Sequence, residues 1–337
     1  MAEISLLKES EQKPSFGDLF FAPTPCLKAS LLERELRVQN LYLKLECNNP
    51  TGSQKDRIAR LQVNDAARQG YSVLYFATCG NYGVSIAAAA AAMGLQCVAF
   101  IPARYRNPRI KELLHYGVSI VRTPGTYEDA IEISSREADE RNAYNANPGA
   151  GNNSRIQTLG YAAISFEIYH QLGGAPDIVA VPVSNGTTLV GIYLGWHLLY
   201  RNGKIARMPK MVAGSIEGMN PILTSALAGN GKYQAIDRAN IRETEINEPL
   251  VNWNSIEGKE AIDAISSTNG WAFGAADSRL QFWKDKVLST ELIDVLPAST
   301  VGLAALFDAD AGVSLPTGNY VVVLTGRKHT QNRIGEL

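Results

Sequence analysis

The sequence predicts an α/β protein of two domains, each a mostly parallel sheet covered by helices. Three observations point there. Short β-branched runs alternate with helical stretches along most of the 337 residues, the pattern of parallel strands joined by helical crossovers. Small, polar, glycine-bearing turns follow several of those runs. The length exceeds one ordinary domain, and 45% apolar against 19% charged residues supplies a sizeable core.

Taken in order, residues 42–46 (YLKLE) alternate apolar and polar, as a half-buried strand does. Residues 48–52 (NNPTG) are dense turn chemistry. Ser53 can cap the helix expected at 58–69, where Ile58, Leu61 and Val63 share a face. Further strands are expected at 73–76, 97–101, 118–122, 178–181, 211–215 and 320–324. Helices are expected at 82–93, 127–141, 161–172, 189–199 and 300–310. The alanine run 87–92 lets its helix lie close against a sheet. With no internal repeat and no Ser/Gly linker, the expected division is a smaller α/β unit over 46–150 and a larger one over 1–45 and 151–337.

Charge and composition exclude several classes. Thirty-two basic against 33 acidic residues give a net charge of −1, no footprint for nucleic acid or an anionic membrane. The longest apolar run, 84–93, is too short to span a bilayer. The polar N-terminus lacks the apolar core of a signal peptide, so a cytoplasmic, reduced setting is expected. Cys26, Cys47, Cys79 and Cys97 form no CxxC pair and have no histidine at metal-ligand spacing, so neither a disulfide framework nor a metal site is expected.

Four places carry chemistry. Lys55 stands between the NPTG turn and a helix start, at the end of a strand, where α/β sheets open their ligand crevice. In "ATCGNYG" (77–83), Thr78, Cys79, Gly80 and Asn81 lead into a helix. Its first N–H groups form an anion site unless Asn81 merely caps it. In "VPVSNGTTLVG" (181–191), Ser184, Asn185, Gly186, Thr187 and Thr188 form a small hydroxyl-rich loop able to hold a phosphate. It is neither a dinucleotide fingerprint nor a P-loop. A β-branched residue at 186 is expected to expel a phosphate while leaving the fold intact. In "VVVLTGRKH" (321–329) a buried strand ends at Thr325-Gly326. A primary amine, an anion-binding turn, a phosphate loop and a hydroxyl together make the Schiff-base arrangement of pyridoxal-phosphate chemistry.

The order of motifs resembles the fold-type-II family of pyridoxal-phosphate enzymes, the tryptophan synthase β-like group, and within it the threonine synthases. "ECNNPTGSQKDR", "TCGNYG", "VPVSNGTT", "LPASTVGLAAL" and "VVVLTGRK" resemble family motifs in the family's order, over about residues 20 to 330. The resemblance implies that the cofactor lies in the cleft between two domains of a homodimer subunit. It implies that Lys55 holds pyridoxal 5'-phosphate and later moves the substrate α-proton. Asn81 would bond the ring hydroxyl oxygen, Ser184 through Thr188 the phosphate, and Thr325 the pyridine nitrogen. Thr78, Cys79, Gly80 and Tyr82 would surround the carboxylate of a small amino-acid substrate.

The chain departs from the family pattern at Gln54 (usually Phe), Tyr82 (usually small) and Leu296 (usually Glu). Where threonine synthases carry an Arg and a Lys near the substrate phosphate, this chain aligns Gln157 and Ala162. Arg155 is then the nearby cation, able to compensate if the segment shifts by two residues. The implied activity is elimination or replacement at a β- or γ-leaving group. Alternatives are a β-replacement synthase (cysteine, cysteate or diaminopropionate type), a serine/threonine deaminase, or a non-catalytic cofactor-binding protein.

Overall fold

The computed structural model describes residues 22–78, 80–103, 109–309, 315 and 317–327. The chain opens with β1 (Cys26–Lys28), α1 (Ser30–Leu36) and β2 (Leu41–Leu45). Next come α2 (Lys55–Arg68), β3 (Val73–Ala77), α3 (Asn81–Ala92), β4 (Gln96–Pro102) and α4 (Ile110–His115). They are followed by β5 (Ser119–Thr123), α5 (Tyr127–Glu140), β6 (Tyr144–Asn145) and α6 (Asn153–Leu172). The chain continues with β7 (Ile178–Pro182), α7 (Thr187–Arg201), β8 (Lys210–Ile216), α8 (Pro221–Leu227) and α9 (Gly258–Ser267). It ends with β9 (Trp271–Ala275), α10 (Asp277–Glu291), α11 (Val301–Phe307) and β10 (Tyr320–Leu324).

Two compact units emerge. One spans residues 55–163; the other joins 24–54 to the residues from 164 onward. The expected smaller domain was 46–150. Residues 46–54 stay with the larger unit because their backbone bonds to the end of β10: Arg327 N–H donates to Gly52 O (3.0 Å) and Gln54 N–H to Thr325 O (3.0 Å).

The larger unit holds a six-stranded sheet in the order β1-β2-β10-β7-β8-β9, parallel except for β1 at one edge. Every residue of β7 (IVAVP) and β10 (YVVVL) is buried. Such unbroken apolar strands belong at the centre of a sheet covered on both faces. The smaller unit holds a parallel four-stranded sheet, β5-β4-β3-β6, whose edge strand β5 is largely exposed. α5 packs on it through β3 and β4. A reciprocal cap starts α5, with Thr126 and Asp129 each bonding the other's backbone.

The structure is α/β with two mostly parallel sheets and helices packed on them. It also holds elements absent from the sequence reading. β9 (WAFGA) has no β-branched residue and no clean alternation, so no strand signal stood out. α6 begins at Asn153 instead of 161, because the polar stretch NSRIQT masks its first two turns.

Candidate active site

The geometry around Lys55 starts in β2. Two charged side chains, Lys44 in β2 and Glu46 just after it, are fully buried. An unpaired charge in such a place is strongly unfavourable, and both have partners. Lys44 Nζ donates to Glu167 Oε2 (2.5 Å), Thr24 O (2.7 Å) and Gln171 Oε1 (3.1 Å). Glu46 accepts from the Thr24 hydroxyl (2.7 Å) and from Asn49 Nδ2 (2.9 Å), and Asn49 Nδ2 also donates to Glu46 O (2.8 Å). Asn49 O receives the Gly52 N–H at 2.8 Å, and Gly52 takes φ +88°, which glycine adopts without strain. The turn is thus tied down at both ends, and the next residues join β10. Lys55, the first residue of α2, directly follows Gln54, whose N–H is bonded to Thr325 O.

Beside Thr325 lies Ser299, buried in the PAST turn. Its Oγ accepts from Gly326 N–H (2.9 Å) and sits 2.9 Å from Gly326 O and 3.2 Å from Thr325 Oγ1. Gly326 O already receives the Leu296 N–H at 2.9 Å. A carbonyl oxygen has two lone pairs, so Gly326 O accepts the Ser299 hydroxyl as well, and Ser299 Oγ keeps an acceptor site facing the Thr325 hydroxyl. Sequence reasoning gave Ser299 no role, although the LPAST motif contained it.

In the smaller unit, Lys55 Nζ stands 6.0 Å from the ring centroid of buried Tyr161. The loop after β3 is organised by Thr78. Its hydroxyl accepts from Gly80 N–H (3.3 Å) and Gly83 N–H (3.0 Å). Gly83 must lack a side chain, since a Cβ there would lie 2.4 Å from Thr78 Oγ1. At Gly80 a Cβ would meet nothing within 4 Å, so this backbone borders open space where a ligand can approach. Gly80 is the N-cap, and Asn81 is the first residue of α3 rather than its cap. Cys79 lies outside the described residues.

Asn81 Oδ1 accepts from Arg109 Nη1 at 2.8 Å. The Tyr82 hydroxyl packs against Gln62 Oε1 (2.7 Å) and the Ala146 carbonyl, and burial pushes its phenol far up, so it stays neutral. Gln157, also buried, reaches Gln62 Oε1 at 3.4 Å. Arg155 is half-buried on the same helix, α6. Residues two apart on a helix point about 200° from one another, so Arg155 does not share Gln157's direction. A two-residue slip has no room inside a continuous helix.

The loop 184–186 belongs to the larger unit. Gly186 is the N-cap of α7 with φ +91°, and no side chain caps the helix. A Cβ on it would lie 2.9 Å from Ile222 Cδ1, 3.0 Å from Glu257 O and 3.2 Å from Ala261 Cβ. The loop is held from behind. Asn220 Nδ2 donates to Ser184 O (3.0 Å), Ser255 Oγ to Ser184 O (3.3 Å) and Asn252 Nδ2 to Asn185 Oδ1 (2.8 Å). Thr187 Oγ1 donates to buried Glu257 Oε2 at 2.6 Å. With its hydroxyl proton so engaged, Thr187 offers an anion only its N–H; the Thr188 hydroxyl and the N–H groups of the uncapped helix start remain as donors beside Ser184 and Asn185. That set suits a phosphate. Asn220, Ser255 and Glu257 are remote in sequence from the loop, and no local pattern announced them.

Burial pushes the thiols of Cys47 and Cys97 up to about 12 and that of Cys26 up to about 11. Among the described residues, no group of three or more His, Cys, Asp or Glu side chains could hold a metal ion. Nor is any helix among them long and apolar enough to cross a membrane.

Lys55 stands at a helix start, Thr325 at a strand end, and α7 begins without a side-chain cap. The chain belongs to the family of pyridoxal-phosphate dependent enzymes, whose pattern it matches over residues 18–326. It is 30% identical over 286 residues to the threonine synthase of Methanocaldococcus jannaschii, covering 84% of this chain and 68% of that protein. It is 28% identical to the threonine synthase of Mycobacterium bovis, covering 90% and 80%. Its fold resembles the processed form of threonine deaminase isoform 2 from Solanum lycopersicum (TM-score 0.75, 16% identity, 93% of this chain and 81% of that one). It also resembles maize serine racemase (TM-score 0.72, 19% identity, 93% and 92%). The cofactor is pyridoxal 5'-phosphate.

Proposed function

We propose that this enzyme eliminates a β- or γ-leaving group from a small amino acid and adds a nucleophile, as a threonine synthase-like lyase. The carrying observation is Lys55 at the start of α2, with the residue before it bonded to Thr325. Bound pyridoxal phosphate supplies an electron sink for the pair left when Cα loses its proton. Lys55 holds the cofactor and then takes and returns that proton. The loop Thr78, Cys79, Gly80 and Tyr82 receives the substrate carboxylate at the N-terminus of α3, where N–H groups converge. Asn81 donates to the ring oxygen, Ser184 to Thr188 hold the phosphate, and Thr325 meets the ring nitrogen.

The distal group is where this chain differs. Gln62, Tyr82 and Gln157 form a neutral cluster, where the resemblance implies cations. Transferring a phosphate dianion there without charged donors is unfavourable by several kcal/mol. This favours a leaving group of low charge, such as an acyl ester or hydroxyl, and keeps the β-replacement and deaminase readings in view. Arg155, the cation nearest in sequence, does not share Gln157's direction on α6, so the neutral cluster gains no charged donor from it. The enzyme works on its amino acid in the cytoplasm as a homodimer, a state that light scattering measures. Steady-state rates with O-phosphohomoserine, O-acetyl- and O-succinylhomoserine, serine and threonine test the reading. Preference for an uncharged leaving group is expected. Efficient threonine release from O-phosphohomoserine, undiminished in Arg155→Ala, overturns the account of the distal group.

A further inference from the structure

We propose that Arg109 is a positioning residue that dictates which end of the Asn81 amide meets the cofactor. The inference rests on the reading that Asn81 bonds the cofactor's ring oxygen, and it adds what makes that bond possible. An asparagine amide has a donor end and an acceptor end, and rotation by half a turn exchanges them. A ring oxygen carrying negative charge accepts hydrogen bonds, so only the Nδ2 end serves it.

Arg109 removes the ambiguity. Its side chain is almost fully buried, at 3% exposure. Nε and Nη2 donate to the two carboxylate oxygens of Glu112, at 2.7 and 2.6 Å, a bidentate pairing that fixes the guanidinium plane. Nη1 is then aimed at Asn81 and donates to Oδ1 at 2.8 Å. A guanidinium has only donors, so the atom facing it must be the amide oxygen. The Nδ2 donor is left on the other side. The cationic neighbour also polarises the amide and makes Nδ2–H a better donor. Arg109 sits at the start of α4 and Asn81 at the start of α3, 28 residues apart in sequence, so only the fold brings them together.

The test compares holoenzymes by absorption maximum, its pH dependence, and the dissociation constant of pyridoxal phosphate. Arg109→Leu alone removes the charged partner of the Glu112 carboxylate, so Arg109→Leu/Glu112→Leu, which removes the pair together, is measured beside it, as is Arg109→Lys. Removing the pair is expected to shift the band in the same direction as Asn81→Ala and to weaken cofactor binding about three- to tenfold. Added to Asn81→Ala, it is expected to change neither reading further. Arg109→Lys keeps the charge but not the fork, and is expected to retain the shift. If Asn81→Ala alters band and affinity while the pair-removed protein stays wild type, the role of Arg109 is overturned and Asn81 stands. An effect of pair removal that persists undiminished in the Asn81→Ala background marks a merely structural role and overturns it too. If Asn81→Ala is itself silent, the reading of Asn81 falls and this proposal with it.

Discussion

At Gly186 the left-handed φ of +91° and three close neighbours from the protein itself act together. From sequence, a side chain there meets only the phosphate. In the structure it also meets Ile222, Glu257 and Ala261. Gly186→Val is therefore expected to lower stability without cofactor by about 1–3 kcal/mol as well as to lose cofactor, measured as urea midpoints of apo- and holoenzyme. Thr188→Ala avoids the strain and is expected to weaken cofactor binding alone. Lys55 is checked more directly: borohydride treatment of the holoenzyme and peptide mapping are expected to leave the label on Lys55 and no other lysine. At the strand end, Thr325→Val is expected to keep the cofactor but slow turnover, since one neutral hydrogen bond contributes only about 0.5–1.5 kcal/mol. Ser299→Ala is expected to follow it in the same direction, because the Ser299 and Thr325 hydroxyls lie 3.2 Å apart and share a hydrogen bond. Wild-type turnover in both variants would remove this hydroxyl pair from the chemistry.

For the elements, the turn before α2 depends on the buried pair behind it. Lys44 and Glu167 join β2 to α6 at 2.5 Å with both side chains out of solvent. Removing Lys44 takes the charged donor from a buried carboxylate, so Lys44→Met is expected to cost about 3–5 kcal/mol in urea denaturation. Lys44→Met/Glu167→Leu is expected to recover part of that loss. The sequence showed this strand as a half-buried alternation, with Lys44 on the wet side. Its polar face is instead covered by Glu167 and Gln171 of α6, more than 120 residues away, a tertiary contact no local pattern shows. α3 was legible almost to the residue, because an alanine run admits few alternatives.

Across the whole molecule, β10 is a central strand of the six-stranded sheet and the last strand among the described residues, and it pairs with β2 and with β7. Truncation after Phe307 is therefore expected to abolish cooperative unfolding, as followed by circular dichroism, rather than merely shorten the protein. The sequence alone determined the fold class and the order of the site motifs, because both are written locally: β-branched runs, turn dipeptides and glycine-bearing loops depend on near neighbours. It also shows the turn and helix that flank Lys55, because they are consecutive. Only the tertiary structure decided the partners behind those motifs: Ser299 for Thr325, Glu257 and Asn220 for the loop before α7, and Arg109 for Asn81. Each lies 26 residues or more from the group it holds. A buried hydrogen bond across such a distance exists only when two strand ends or helix starts are brought within about 3 Å, a condition that pairing between elements imposes and no local pattern encodes.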